Sequence, residues 1–151
     1  MRIVIQRVKE ASVAIDGKTI SQIAKGLMVL VGIVDDDNDN DIEWLCSKIV
    51  NMRIFDDADG VMNNPITAID GASILVVSQF TLMASTRKGN RPSYIKAARP
   101  EVAIPIYKRF LSSLEQSFGK PILTGRFGAN MQVSLINDGP VTIIVDSKER
   151  Q

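Results

Sequence analysis

Hydrophobic and polar residues alternate along the first part of the chain, as they do in β-strands. Ile3 and Ile5 share one face of a predicted strand, and Val13 and Ile15 resume the alternation after a polar stretch. Asp16-Gly17 follows directly and predicts a tight hairpin turn, because glycine tolerates the positive φ that such turns demand. The first predicted element is therefore a β-hairpin.

Later segments predict more strands, which are placed at residues 19–24, 27–34, 73–80, 131–136 and 141–145. The segment 27–34 is apolar on both faces, which is typical of a central strand that is covered on both sides. Residues 137–140 are Asn-Asp-Gly-Pro, all of which are turn formers. They predict a hairpin turn that joins the last two strands.

Two segments have the three- and four-residue spacing of amphipathic helices. The first begins after a cap at Asn38 or Asp39, and its apolar stripe is Ile42, Leu45, Cys46, Ile49 and Met52. The second runs from about Pro100 to Phe118, where Gly119 is a natural stop. Its apolar stripe is Ala103, Tyr107, Phe110, Leu111, Leu114 and Phe118. Without repeats or linkers, residues 1–151 are predicted to form one α/β domain.

The composition excludes several kinds of chemistry. The chain has no histidine, so neither a Ser-His-Asp relay nor a His-based zinc or iron site can be built. The single cysteine, Cys46, lies on the apolar stripe of the first helix and is interpreted as a buried hydrophobic residue rather than a nucleophile. The apolar run 27–34 is far below the roughly 20 residues of a spanning helix, so we expect a cytoplasmic protein that does not enter a membrane.

Acidic residues are concentrated between Asp35 and Asp59. The run that begins at Asp35 superficially resembles a calcium-binding loop, but its sixth position is Asn40 where glycine is required. Its twelfth position is Cys46 where a bidentate glutamate is required. The calcium interpretation therefore fails, and acidic side chains before a helix are explained by the positive end of the helix dipole.

Basic residues are concentrated in the segment 87–99, which we call the basic loop. It holds five basic residues and no acidic one: Arg87, Lys88, Arg91, Lys96 and Arg99. Clustered Lys and Arg gain affinity for phosphates by releasing counterions, so this loop is a candidate polyanion contact. The alternative is an ordinary solvated loop.

Two short segments could carry chemistry. Ser78 and Thr81 are hydroxyls near a strand end, but there is no GxSxG elbow and no histidine to act as a base, so they are alternatively plain polar residues. The strand end also offers main-chain N–H groups, which could stabilise an oxyanion. At Gly139-Pro140 the chain presents carbonyl groups with no side chain in front of them. Such carbonyls suit a pocket wall that discriminates ligands by shape through backbone atoms.

Together these segments, Ser78-Gln79-Phe80-Thr81 and Asn137-Asp138-Gly139-Pro140-Val141-Thr142, resemble the two signature motifs of D-aminoacyl-tRNA deacylases. The resemblance extends over essentially the whole chain and includes residues 5–8, 88–93 and 124–129. It implies a fold with mixed, mostly antiparallel, barrel-like β-sheets and two main helices packed on one side.

The resemblance also implies an activity. Members hydrolyse the ester of D-aminoacyl-tRNA and of glycyl-tRNA mischarged on tRNA(Ala), without a cofactor or metal. The implied enzyme is a homodimer in which a cis Gly139-Pro140 of one subunit enters the other subunit's pocket and rejects L-aminoacyl esters. A main-chain N–H near Phe80 and Thr81 would stabilise the oxyanion, and the neighbouring ribose 2′-OH would help to activate water.

By the same resemblance each site residue has an expected role. The catalytic segment is Ser78, Gln79, Phe80 and Thr81, and the chiral-selectivity residues are Asn137, Gly139, Pro140, Val141 and Thr142. Arg7 is expected to hold Gly139-Pro140 from beneath; alternatively it is a surface residue on an edge strand. Lys88 and Arg91 are expected to bind tRNA, with no role for DNA.

Three alternatives remain open at this point. One is an RNA-binding module without catalysis, and another is a structural or partner-binding dimer in which the turn motifs merely connect strands. The third is a sister enzyme that removes a mischarged L-amino acid, which would require a trans Gly139-Pro140 bond.

Overall fold

The computed structural model describes residues 1–150 and consists of a mixed β-sheet, a small second sheet and two α-helices. The strands are β1 (Arg2–Ile15), β2 (Lys18–Ile23), β3 (Gly26–Gly32), β4 (Phe55–Asp56), β5 (Met62–Asn64), β6 (Ser73–Ser78), β7 (Leu123–Thr124) and β8 (Gln132–Asp146). The helices are α1 (Asp39–Asn51) and α2 (Pro100–Phe118). Short 3-10 helices span Ile66–Ala68 and Phe80–Met83.

The long strand β1 organises the main sheet. Along one edge it pairs antiparallel with β8, and along its other edge it pairs first with β3 and then with β2. β1 continues through the polar stretch between Ile5 and Val13. Shifts in its register with β8 accommodate this interruption of the hydrophobic alternation. The predicted hairpin between β1 and β2 is confirmed, with Asp16 and Gly17 at φ of 50° and 75°.

The sheet combines both strand directions. The β1–β2, β1–β3 and β1–β8 pairs are antiparallel, whereas β3–β6 and β6–β7 are parallel. β3 lies between β1 and β6 and is almost entirely buried, so the prediction of a central, covered strand is confirmed. The mixed, mostly antiparallel sheet with two helices is the fold class that the sequence resemblance implies.

Both helices end close to where the sequence predicts. Asn38 caps α1, its side chain accepting the N–H of Asn40, while Asp41 accepts the N–H of Asn38 to complete a capping box. Met52, predicted on the apolar stripe, is instead the residue after the last helical turn. α2 runs from Pro100 to Phe118 as predicted, and Gly119 ends it in the left-handed conformation.

Two hydrophobic clusters cover opposite faces of the sheet. The larger one contains the buried stripes of α1 and α2, which places both helices on one side. Cys46 belongs to it and is 1% exposed, and burial raises the pKa of its thiol to about 12. The interpretation of Cys46 as an unreactive core residue is therefore confirmed. The smaller cluster lies beneath β2 and includes Val13 and Met28.

The acidic residues before α1 form specific ion pairs as well as capping the helix. The α-ammonium group of Met1 donates to the buried carboxylate of Asp37 and to Ser147 Oγ. Lys148 Nζ lies 2.8 Å from Asp41 Oδ2. Burial raises the pKa of Asp41, but hydrogen bonds from Lys148, Ser147 and the Asn38 N–H outweigh it and lower that pKa to about 2.

The predicted hairpin turn at residues 137–140 is wrong. β8 runs in one direction from Gln132 to Asp146, and β1 pairs with it on both sides of the turn-forming residues. Gln6 pairs with Thr142 and Val8 with Asn137, so residues 138–141 stand opposite Arg7 alone. These four residues bulge out of the sheet, and we call them the Gly-Pro tip.

Within residues 1–150 neither helix is long and apolar enough to cross a lipid bilayer.

Candidate active site

The first predicted motif lies where two parallel strands end side by side. β3 and β6 run parallel, so their carboxyl ends meet at one edge of the sheet. The Gln79 N–H donates to the Val31 carbonyl at 2.7 Å, and the chain then turns into the 3-10 helix that begins at Phe80. The predicted strand 73–80 is therefore two residues too long, because this turn ends the pairing at Ser78.

A cleft of about 260 Å³ opens at this edge. Ser78, Gln79 and Phe80 form part of its wall, together with Ala98, Ala103 and Phe127. Thr81, the last residue of the predicted catalytic segment, is half-buried and does not line the cleft, but Gln79 Nε2 donates to its Oγ1. The structure thus brings the predicted catalytic segment to a cavity large enough for a small amino-acid group.

Main-chain N–H groups are free of helical partners at this position. The first donor within the 3-10 helix is the Leu82 N–H, which donates to the Gln79 carbonyl at 3.2 Å. The N–H groups of Phe80 and Thr81 come before it, so they have no acceptor inside the helix. A partial positive charge at the mouth of a cleft can stabilise a developing oxyanion.

Phe127 is a cleft residue that sequence reasoning missed. It lines the cavity and packs against Tyr107 of α2, with ring centroids 5.6 Å apart. The Tyr107 hydroxyl is buried without a hydrogen-bond partner among the described residues, and burial raises its pKa to about 12. Tyr107 is therefore unsuited to act as a base. The segment 124–129, noted for its resemblance, carried the signal that could have identified Phe127.

The basic loop is connected to the cleft through Ala98, which lines the cleft, and through Tyr94. Lys88 and Arg91 are both exposed, and paired main-chain hydrogen bonds between Ser85 and Ser93 close the part of the chain that carries them. Tyr94 in this loop contacts Phe80 edge-on, with ring centroids 5.2 Å apart. The basic loop is thus joined directly to the rim of the cleft.

The Gly-Pro tip lies apart from the cleft of its own chain. Gly139 and Pro140 are exposed, the peptide bond between them is cis, and neither residue lines the cleft that residues 1–150 form. Gly139 has φ of +128°, and a Cβ placed there would lie 2.9 Å from Val141 Cγ2 and 3.0 Å from Arg7 Nη2. Only glycine fits this position without strain.

Arg7 lies beneath the tip and is nearly buried, with 8% of the residue exposed. Its Nε donates to the Asp138 carbonyl at 3.1 Å, and its Nη1 donates to the Ile54 carbonyl at 2.7 Å. The carboxylates of Asp56 and Asp138 lie 3.6 and 3.8 Å away. The alternative that Arg7 is a surface residue on an edge strand is wrong, since β1 is paired along both edges.

No cluster of three or more Asp, Glu or Cys side chains is arranged to hold an ion in the part of the chain that the structure describes.

The sequence matches the family model described as D-Tyr-tRNA(Tyr) deacylase over residues 4–146. A D-aminoacyl-tRNA deacylase of Flavobacterium psychrophilum is 62% identical over 151 residues, with 100% of both chains covered. The D-aminoacyl-tRNA deacylase of Bacteroides thetaiotaomicron is 60% identical over the same length, again covering 100% of both chains.

Two solved structures share the fold. The c-Myc DNA Unwinding Element Binding Protein superposes with a TM-score of 0.90 at 41% identity, covering 97% of this chain and 98% of that one. A probable eukaryotic D-amino acid tRNA deacylase superposes with a TM-score of 0.80 at 17% identity, covering 95% and 97%. The second likeness concerns the fold alone.

Proposed function

Because the chain belongs to the D-Tyr-tRNA(Tyr) deacylase family, we propose that it hydrolyses the ester bond of D-aminoacyl-tRNA. The observation that carries this proposal is the cleft at the joint end of β3 and β6, walled by Ser78, Gln79 and Phe80. Free D-amino acid and tRNA are the products. The same reaction on glycyl-tRNA(Ala) is part of the proposal, since glycine has no side chain to exclude.

The proposed chemistry uses the main chain more than side chains. A water oxygen attacks the ester carbonyl carbon, the bond from that carbon to the ribose oxygen breaks, and the ribose oxygen takes up a proton. The N–H groups of Phe80 and Thr81 stabilise the oxyanion, and the neighbouring ribose 2′-OH helps to activate the water. A chain without histidine lacks the usual general base. A mechanism that uses main-chain N–H groups and a hydroxyl of the substrate is therefore consistent with its composition.

We propose that the enzyme is a homodimer in which each cleft is completed by the other subunit's Gly-Pro tip. β8 pairs with β1 along one edge and has no strand partner on its other edge among residues 1–150. Ile136 and Ile144 on this strand are 49% and 68% exposed. An open edge strand that carries exposed apolar residues beside a protruding tip is suited to cover by a second copy.

Chiral selection follows from this arrangement. If main-chain atoms of Gly139 and Pro140 occupy the side of the pocket where an L side chain would project, L-aminoacyl esters clash with the tip. D-aminoacyl esters direct the side chain elsewhere, and glycine has none, so both fit. Because the clash is with the backbone, the identity of the rejected side chain matters little.

The basic loop is proposed to bind the tRNA, since Lys88 and Arg91 are exposed and Tyr94 of the same loop contacts Phe80 of the cleft wall. The name of one structural neighbour refers to DNA binding, so a DNA duplex is a useful control ligand. We further propose that the protein acts in the cytoplasm, which is consistent with aminoacyl-tRNA as its substrate. We also propose that residues 1–151 act as one deacylase domain, because β8 near the C-terminus pairs with β1.

The deciding experiment compares hydrolysis of matched D-tyrosyl-tRNA and L-tyrosyl-tRNA, with glycyl-tRNA(Ala) in parallel and with EDTA present or absent. Rapid loss of the D and glycyl esters, with the L ester spared and no effect of EDTA, is the expected result. Tight tRNA binding without loss of either tyrosyl ester would favour an RNA-binding module. Selective loss of the L ester would indicate the sister activity.

A further inference from the structure

We propose that Asn137 and Thr142 are positioning residues that clasp the two ends of the Gly-Pro tip and so set the direction in which it points. The Asn137 side chain spans the base of the tip. Its Oδ1 accepts the Val141 N–H at 3.1 Å, and its Nδ2 donates to Thr142 Oγ1 at 2.8 Å. The Asn137 side chain, just before the tip, thus connects to Val141 at the end of the tip and to Thr142 just after it.

The clasp is needed because the strand pairing lapses at this point. Residues 138–141 face only Arg7 across the sheet, so their main-chain groups cannot continue the regular ladder with β1. The Val141 N–H would be left without a partner, and Asn137 supplies one. Pairing resumes at Thr142, opposite Gln6.

Two groups of side chains hold opposite ends of the tip. Arg7 holds its first residue through the Asp138 carbonyl at 3.1 Å. Asn137 and Thr142 hold its last residue and the residue after it, through the Val141 N–H and the Thr142 hydroxyl. Gly139 and Pro140 at the summit are exposed, so their direction depends on both ends. If only one end of the tip were held, Gly139 and Pro140 would be free to change direction.

The inference deepens the proposed function and rests on it, because the direction of the tip matters only if the tip selects the substrate. Neither clasp residue is assigned contact with the substrate or with the reacting atoms. Loss of the clasp should therefore lower discrimination between D and L esters while largely sparing hydrolysis of the D ester, since the cleft wall at Ser78–Phe80 is untouched.

The test uses Asn137→Ala, Thr142→Val and Thr142→Ser in the full-length protein. Thr142→Val keeps the side-chain shape but removes the oxygen, whereas Thr142→Ser keeps the oxygen. Thr19→Val makes the same chemical change at an exposed position of β2 and is the matched control. Two quantities are measured: the D-over-L ratio of deacylation rates, and the hydrogen-exchange rate of the Val141 amide.

Thr142→Val, which removes one of these hydrogen bonds, should lower the D-over-L ratio about tenfold, and Asn137→Ala, which removes both, should lower it at least as much. Thr142→Ser and Thr19→Val should keep it, and the Val141 amide should exchange faster in Asn137→Ala. An unchanged ratio in Thr142→Val, or an unchanged exchange rate in Asn137→Ala, would overturn the proposal. Wild-type protein that cleaves neither ester would instead refute the proposed function, while the exchange measurement still reports on the clasp.

Discussion

Replacing Arg7 by methionine should destabilise the protein measurably and loosen its chiral selection. Methionine keeps an unbranched stem of similar length but cannot donate a hydrogen bond. Two carbonyl groups, of Asp138 and Ile54, then lose a charged donor that lies 3.1 and 2.7 Å away. The first carbonyl belongs to the Gly-Pro tip, so the tip loses its support from below.

The carbonyl groups dominate the expected cost. Asp56 and Asp138 also lie near the guanidinium group, but their side chains are 57% and 31% exposed and can be solvated by water after the substitution. A hydrogen bond from a charged donor is worth about 1.5–3 kcal/mol, and the tip side of the site is open to water. We therefore expect a loss near the lower limit for two such bonds, about 3 kcal/mol.

For a chain of this length that loss corresponds to a fall in Tm of about 10 °C. Arg109→Met is the matched control, because Arg109 Nε lies 3.0 Å from Asp39 Oδ1, close to the 3.1 Å of the Arg7 Nε hydrogen bond, but both of these side chains are exposed. It should cost no more than about 0.5 kcal/mol. The assay combines thermal unfolding with deacylation of D- and L-tyrosyl-tRNA. A wild-type Tm together with wild-type selectivity in Arg7→Met would refute the reasoning.

Three further substitutions test other parts of the structure. Gly139→Ala should cost about 1–3 kcal/mol because of its positive φ, and should lower the D-over-L ratio, whereas a loss of stability alone would make the Gly-Pro tip a purely structural feature. The double variant Lys88→Ala/Arg91→Ala should reduce the salt dependence of tRNA binding by about 1.4 in log–log slope, and an unchanged slope would mean that the basic loop is only solvated. Because the pKa of Asp41 is lowered to about 2 in the folded state, its ionisation stabilises the fold by about 2 kcal/mol above its ordinary pKa. That contribution disappears as the pH falls from about 4 to about 2, so Asp41→Asn should flatten this part of an acid-unfolding curve, and an unchanged curve would exclude the role of Asp41.

Much of the fold could be predicted from local sequence, because the decisive signals lie within a few residues of each other. Asn38 caps α1 and Gly119 ends α2 through interactions inside their own turns. The β1–β2 hairpin follows from Asp16-Gly17 in the same way. The continuous apolar character of residues 27–34 predicted the central position of β3, since a strand covered on both faces needs no polar side.

The errors occur where distant residues decide the structure. Asn-Asp-Gly-Pro is composed entirely of turn formers, yet the chain does not reverse, because β1 pairs with β8 on both sides of it. Likewise the strand that begins at Ser73 stops at Ser78, where the Gln79 N–H bonds to Val31 of a neighbouring strand. The roles proposed for the catalytic and selectivity segments rest mainly on their resemblance to a family, since the local pattern indicated only main-chain N–H groups at a strand end and bare carbonyls at Gly139-Pro140.

The Gly-Pro tip exists because of a mismatch in length between two paired strands. Between matching pairs, β8 supplies residues 138–141 where β1 supplies only Arg7, so the surplus must leave the sheet. Main-chain atoms can respond to the direction of a substrate side chain without recognising its chemical identity. Discrimination by chirality requires this property. Residues 138–141 also lack regular ladder hydrogen bonds to β1. The polar residues gathered at the base of the tip, Arg7 at one end and Asn137 with Thr142 at the other, replace the missing ladder bonds. In the proposed mechanism, selectivity by the main-chain atoms of Gly139 and Pro140 thus depends on the side chains that hold the base of the tip. Substitutions at the base should therefore affect discrimination before they affect the hydrolytic rate.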